Sequence, residues 1–278
     1  MRTMKIVADS SANIVSLSRT AFASAPLKVI AGDKDFVDDS TLDVGGMVAW
    51  FDFYKGKSKT SCPNPSDWLE AFGDAEDVFC ITITSGLSGS YNAACIAKQM
   101  YETDHPGRRV CVIDSLSAGP ELVLIIDKLE ECIVRGMDYE DICATIEEYT
   151  KKTGLVFMLE SLKNFAANGR VSPAVAKIAG VLGIRIVGKA SDQGTLEPTN
   201  KCRGEAKSLM AILTNLKAAG LREGNVRIAH CMNEGAALEL KRMIQEVLPQ
   251  TDVQIHKCRG LCSYYAEKGG LLVGFEKM

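Results

Sequence analysis

The chain has 278 residues, which at roughly 150 per domain suggests two domains. Hydrophobic residues make up 46% and charged residues 24%, which excludes disorder, collagen-like repeats and coiled coil as the main architecture. A net charge of −3 and a pI near 5.8 give no electrostatic case for nucleic acid or an anionic membrane as partner.

The first segment, Met1-Arg2-Thr3-Met4-Lys5-Ile6-Val7, reaches Asp9 too soon to hold a signal-peptide apolar core. Lys5 to Ala8 reads as a buried strand stopped by Asp9-Ser10-Ser11. Val44 to Tyr54 is apolar on a helical period, and Asp67 to Ala75 is a second short helix with Ser66 as its cap. Val78 to Thr84 is a β-branched strand, followed by a helix over Ser90 to Asp104. Arg109 to Ile113 is the next strand, ending at Asp114-Ser115. Pro120 opens a helix running to Arg135, closed by Gly136, with Leu122, Ile125, Ile126, Leu129 and Ile133 on one face. Within it, Leu122 to Ile126 is the longest uninterrupted aliphatic run, far short of the about 20 residues that span a membrane. Asp138 to Lys152 is another helix.

This alternation with continuous apolar strands is the pattern of a parallel sheet covered on both faces. The later half reads as similar but less regular. Strands are predicted at Leu155–Leu159, Ile184–Val187, Val226–His230, Val253–Ile255 and Leu271–Phe275. Helices are predicted at Leu162–Asn168, Ala174–Leu182, Lys201–Ala219 and Glu234–Val247. A boundary near Gly154 divides the chain into 1–154 and 155–278. The fold expected is α/β, with an N-terminal parallel sheet covered by helices and a C-terminal α/β domain.

The ten cysteines include no Cys-x-x-Cys pair. Without a signal peptide they imply a reduced, cytoplasmic setting, and most fall in apolar runs as small core residues. Cys258 and Cys262 have no partner pair at metal-ligand spacing, so no metal is expected.

The densest polar cluster is Thr82 to Tyr91, reading Thr-Ile-Thr-Ser-Gly-Leu-Ser-Gly-Ser-Tyr. It ends a strand and opens a helix, where open α/β sheets bind ligands and where backbone N–H groups favour an anion. Its two glycines permit close approach of the loop's own backbone to a ligand. No Lys follows the second Gly, so it is not a nucleotide phosphate loop and suits a carboxylate or a single phosphate. A helix cap and turn would use the same residue types. Thr60-Ser61 before Cys62-Pro63 adds a hydroxyl pair, and Asp9-Ser10 and Asp114-Ser115 end two further strands. In a parallel sheet these groups share one rim. Arg170, between two predicted helices, can clamp a carboxylate with two hydrogen bonds or simply form a surface ion pair. Of the three histidines, His105 reads as loop surface, while His230 and His256 each end a strand.

These residues together resemble the DegV family. The matching elements are Val7-Ala8-Asp9-Ser10-Ser11-Ala12, Thr60-Ser61-Cys62-Pro63, Ser85-Gly86-Leu87-Ser88-Gly89-Ser90-Tyr91 and Val112-Ile113-Asp114-Ser115. Leu159-Glu160-Ser161-Leu162-Lys163, Gly169-Arg170-Val171-Ser172 and Lys201-Cys202-Arg203-Gly204 follow in order. The resemblance implies a two-domain α/β protein that binds a long-chain fatty acid in an apolar tunnel between the domains. It implies no catalysis by the chain and no cofactor. The partner it implies is an ATP-dependent fatty acid kinase subunit, which converts the presented carboxylate to an acyl phosphate. Carried over residue by residue, Ser61 and Ser88 bind the carboxylate, with Thr60, Gly89 and Ser90 beside them. Arg170 and His256 lie near the head group, and Arg203 docks the kinase.

Three departures stand out. The family's His-x-Gly-Pro-Gly reads His256-Lys257-Cys258-Arg259-Gly260 here. The usual Pro in Leu182-Gly183-Ile184-Arg185-Ile186 is absent, and the first Gly of Gly-Gly-Arg is Asn168. Two rival readings remain. Gly86-Leu87-Ser88-Gly89-Ser90 nearly spells a serine hydrolase elbow, with Asp114 and His230 or His256 in triad order. A binding protein for another small anion would need no apolar tail site.

Overall fold

The computed structural model describes residues 2–171 and 183–277. The predicted helix over 174–182 and Ser172 lie outside the described residues.

The N-terminal sheet has the order β2-β1-β6-β7 and is parallel throughout, as the sequence alternation predicts. Its strands are β1 (Met4–Asp9), β2 (Ala21–Ala25), β6 (Asp77–Thr82) and β7 (Arg109–Asp114). Side chains alternate across it with period two. Val7, Val78 and Cys80 face α2 (Pro65–Phe72) and α3 (Ser90–Asp104), where Trp68, Phe72 and Ala94 are fully buried. Ile6, Ala8, Phe79 and Ile81 face the other way, against Leu122, Ile125, Ile126 and Leu129 of α4 (Pro120–Val134). The predicted apolar face of that helix is therefore the face that packs on this sheet.

The opposite side of α4 meets a second sheet. This one has six strands in the order β10-β9-β8-β13-β11-β12. They are β8 (Thr153–Leu159), β9 (Ile184–Ala190), β10 (Leu196–Arg203), β11 (Asn225–His230), β12 (Asp252–Lys257) and β13 (Leu271–Glu276). Gly274 of β13 has no room for a Cβ against the backbone of Pro120 and Glu121, so helix and strand touch directly. Glu121 accepts the Thr153 hydroxyl at 2.7 Å, and Asp127 pairs with Arg227 at 2.9 Å. The buried run Leu122–Ile126 is thus a layer between two sheets.

The later half is not a second parallel sheet. Its pairings are antiparallel except β11 with β12. Apolar runs covered on both faces look alike in either direction, so run composition alone could not set strand direction. One face packs on α7 (Glu205–Ala218) and α8 (Glu234–Val247) through Val156, Met158, Val226 and Val273. The other face, with Leu155, Phe157 and Leu159, looks toward the cavity described below. The helix predicted from Lys201 starts at Glu205, because Lys201–Arg203 complete β10.

A small antiparallel sheet, β4-β3-β5, was not expected. It comprises β3 (Lys28–Ala31), β4 (Lys34–Val37) and β5 (Ser58–Ser61), short segments with much polar character. Hence Thr60-Ser61 does not end a strand of the parallel sheet. The cap of α2 is Asn64 rather than Ser66. Its side chain accepts from Ser66 N and Asp67 N, and Asp67 accepts from Asn64 N, a reciprocal capping box. Helix α1 (Val44–Phe53), capped by Asp43, α5 (Tyr139–Thr150), α6 (Lys163–Ala167) and α9 (Gly260–Ala266) complete the described elements. No helix among the described residues is long and apolar enough to cross a membrane.

Candidate functional site

The parallel order of β1, β6 and β7 brings Asp9, Thr82 and Asp114 to one rim. Each carboxylate is used by the fold. Asp9 is fully buried and accepts the Ile83 N–H at 2.8 Å, the Ser90 hydroxyl at 2.6 Å and the Ser11 hydroxyl at 2.5 Å. Burial raises its carboxyl pKa, and the hydrogen bonds from Ser11, Ser90 and Ile83 act against that rise. Asp114 accepts the N–H groups of Ser85 and Leu116, both at 3.1 Å. Leu116 sits in the left-handed region at φ 49°, a conformation costing roughly 1–2 kcal/mol for an L-residue. Ser90 therefore faces Asp9, not a ligand space.

In front of this rim lies a cavity of about 320 Å³. One wall is the free face of the six-stranded sheet, with Leu155, Phe157, Leu159, Ala190, Leu196 and Leu272. Helix α9 adds Leu261, Cys262, Tyr265 and Ala266, and α6 adds Phe165. Among the described residues the polar groups in the lining are Thr60, Ser61, Thr84, Ser88, Ser117, Thr195, the Tyr265 hydroxyl and Arg170, with the backbone of Gly89. Of the expected carboxylate ligands, the fold brings Thr60, Ser61, Ser88, Gly89 and Arg170 to one cavity.

The hydroxyls are oriented by neighbours. Ser88 Oγ accepts the Ser90 N–H at 3.2 Å, which leaves its own proton to donate. Thr60 Oγ1 lies 2.8 Å from the Tyr265 hydroxyl. Arg170 Nη1 donates to the Asn168 carbonyl at 2.7 Å. Burial raises the Tyr265 phenol, against the downward pull of the Thr60 hydrogen bond and the Arg170 charge. The arrangement supplies neutral donors and one guanidinium beside a long apolar wall.

His256 is not among the lining residues. It lies on β12, paired with Ala229, with Arg227 and Asp127 as its charged neighbours. Its pKa is lowered by burial, then by Arg227, with Asp127 acting upward. Arg203 ends β10 on the exposed surface. The hydrolase triad is not assembled: His230 Nδ1 accepts the Asn233 N–H, Asp114 holds backbone donors, and Ser88 bonds Ser90. Among the described residues no His, Cys, Asp and Glu side chains cluster as metal ligands.

Sequence reasoning missed Tyr265, Phe165 and the β9–β10 turn. The spacing of Tyr264-Tyr265 on a short helix carried no signal. Gly86 holds a further surprise: its lack of a Cβ admits the Gln193 carbonyl, and Gly194 likewise admits Thr84. The turn at Ser191–Thr195 thus lies directly on the Thr84–Gly86 loop. The close approach expected of a ligand at Gly86 is made by protein backbone.

The family model described as "Uncharacterised protein, DegV family" matches residues 3–277. A DegV domain-containing protein of Streptococcus pneumoniae is 43% identical over 278 residues, covering 99% of each chain. A crystal structure of a DegV family protein from Eubacterium eligens loaded with heptadecanoic acid is 43% identical, with TM-score 0.97. The match covers 99% of this chain and 100% of that one. The Fatty Acid Kinase (Fak) B3 protein of S. pneumoniae, loaded with linoleic acid, is 42% identical. Its TM-score is 0.97, over 99% of this chain and 100% of that chain.

Proposed function

The chain belongs to the DegV family, and on that premise we propose that it binds a long-chain fatty acid and presents the carboxylate to a partner kinase. The observation that carries this reading is the cavity's asymmetry: an aliphatic and aromatic wall facing a few hydroxyls and Arg170. A buried acyl chain gains about 0.8 kcal/mol per CH₂, so the wall supplies affinity. A carboxylate leaving water needs several donors, and Ser61, Ser88 and Arg170 supply them, with Thr60 and Gly89 alongside.

The relatives loaded with heptadecanoic and linoleic acid support the same ligand class. The relative named as a fatty acid kinase B protein supports an ATP-dependent kinase as partner. In this reading the chain performs no chemistry itself, works in the cytoplasm, and consists of units 1–154 and 155–278 that close on the acyl chain. Arg203, exposed at the end of β10, is the proposed kinase contact. Ser90 supports the site through Asp9 rather than touching the ligand.

Native mass spectrometry of the purified protein, followed by organic extraction, tests this. A stoichiometric long-chain fatty acid is the expected result. An empty protein that also refuses added fatty acid would overturn the proposal. Equal competition by short carboxylates would favour a small-anion site.

A further inference from the structure

Next to the cavity lies a second, broad groove whose lining includes Ser58, Lys59, Asn164, Ala167 and Tyr264. The cavity's own lining includes Thr60, Phe165, Arg170 and Tyr265. The elements β5, α6 and α9 contribute to both. Phe165 of α6 packs on Tyr265 of α9, with ring centroids 4.6 Å apart, and hydrogen bonds add a second tie among the three elements.

Those bonds converge on Asn168, at the C-terminal end of α6. Its Oδ1 accepts the Thr60 backbone N–H at 3.1 Å, tying α6 to β5. Its Nδ2 donates to the Tyr264 hydroxyl at 3.0 Å, tying α6 to α9, and to the Asn164 carbonyl at 2.9 Å. Tyr264 in turn bonds Ser58 at 2.7 Å. The backbone carbonyl of Asn168 accepts Arg170 Nη1. One residue thus fixes the strand that carries Thr60 and Ser61, and the guanidinium that faces them. A carboxamide has both an acceptor and a paired donor, which this three-way junction requires.

We propose that Asn168 is a positioning residue for carboxylate recognition: it does not touch the ligand, but sets Thr60-Ser61 and Arg170 at the spacing the head group needs. This rests on the fatty-acid reading above and names the residue that makes that site selective for an ionised head group. Geometry held by a supporting amide matters because charge-assisted hydrogen bonds weaken steeply when misaligned.

The test compares two ligands of equal chain length, a saturated fatty acid and the corresponding fatty alcohol, on the intact protein. For Asn168→Ala we expect about a five- to tenfold loss of affinity for the acid, less than outright removal of a charge-assisted hydrogen bond would give, and less than a twofold change for the alcohol. Tyr264→Phe, which removes one of the amide's partners and leaves the fold's apolar contacts, should move selectivity the same way by a smaller factor. Equal losses for acid and alcohol would overturn the proposal, since a merely structural role lowers both. An unchanged acid affinity in both variants would overturn it as well. If the unaltered protein took up neither ligand, the fatty-acid reading itself would fall, and this proposal with it.

Discussion

Asp38 accepts the backbone N–H of Gly260 at 2.8 Å, joining positions separated by 222 residues. Its second oxygen accepts the Leu261 N–H at 2.8 Å, so one buried carboxylate caps the start of α9. Burial raises the Asp38 carboxyl pKa, opposed by the Leu261 and Gly260 N–H groups, then Ser10, then the Arg259 charge. A Cβ on Gly260 would lie 2.7 Å from Asp38 Cγ, so only glycine fits there. Arg259, where the family has proline, donates its backbone N–H to Asn13 at 2.7 Å and its guanidinium to the Asp39 carbonyl. The departure at Cys258-Arg259 is therefore a docking point between the two ends of the chain.

Replacing Asp38 by Ala should lower stability by about 1–3 kcal/mol, since two buried N–H donors lose their acceptor. Urea denaturation checks this. The same variant should weaken ligand binding, because α9 carries Leu261, Cys262, Tyr265 and Ala266 of the cavity wall. Full retention of both properties would contradict the assigned cap.

Ser61→Ala and Ser88→Ala each remove one neutral donor from the proposed carboxylate site. Each should reduce fatty-acid affinity by about tenfold, as expected for a lost hydrogen bond to a charged group at roughly 1.5 kcal/mol. Titration with a long-chain acid measures it. Melting temperatures should barely change, because both residues are partly exposed.

Phe157→Ala should change which acyl chains bind. The ring lines the cavity and lies on Gly188, where a Cβ would collide with it. Removing it should deepen the cavity and shift preference toward longer or branched chains. A stability loss of up to about 3–5 kcal/mol is the upper bound for deleting a core phenylalanine. Competition among acids of graded length reads the preference.

Asp77 predicts how the protein responds to acid. Its fully buried carboxylate takes Nε and Nη2 of Arg109 at 2.8 and 2.9 Å and Arg2 Nε at 2.9 Å. Burial pushes its pKa up, but the two guanidinium groups outweigh that and hold it below the ordinary aspartate value of 3.8. A lowered acid pKa adds stability that is present above the unfolded value and lost as pH falls through the folded one. Asp77→Asn should therefore destabilise the protein at neutral pH, by about 1.5–3 kcal/mol, and flatten the loss of stability below about pH 4. Thermal melts from pH 3 to 7 test both statements.

His256 and Arg170 should behave oppositely. Arg170→Gln should weaken fatty-acid binding at least tenfold, as for a lost charge-assisted bond, whereas His256→Gln should leave affinity unchanged because His256 does not line the cavity. Burial and Arg227 lower the His256 pKa from 6.5. A lowered base pKa makes the native state resist protonation, so stability falls as pH drops below the unfolded value. His256→Gln should lessen that acid-side loss. A tenfold affinity loss in His256→Gln would place the imidazole at the head group after all.

Three of the parallel sheet's four strands were legible in the sequence because β1, β6 and β7 are short apolar runs closed by polar turns, the last two followed by helices with periodic apolar faces, whereas the half-buried β2 (Ala21–Ala25) was not read. Val78 to Thr84 and Arg109 to Ile113 announce themselves in this way, as does the helix from Pro120. The hydroxyl loops at Thr60-Ser61 and Ser85 to Ser90 stood out as well, although the same residue types also make caps and turns, and Ser90 and Gly86 are indeed taken up by contacts within the fold. Strand direction in the second sheet was not legible: it depends on which runs become neighbours, and hydrogen-bond direction leaves no mark on composition. The short strands of Lys28–Ala31 and Ser58–Ser61 hold together only through their partners across the sheet. Likewise nothing local reveals what Asn168, Asp38 or Gly86 touches. Their roles come from contacts with Thr60, Gly260 and Gln193, residues remote in the chain, and such contacts exist only once packing has brought those segments together. The sequence by itself picked out the hydroxyl loops and Arg170 as candidate carboxylate ligands, but not the apolar wall, whose side chains are of the same kinds as any core's. The tertiary structure decided which of them meet, because a binding site is a set of distances and only the packed sheets and α9 set them.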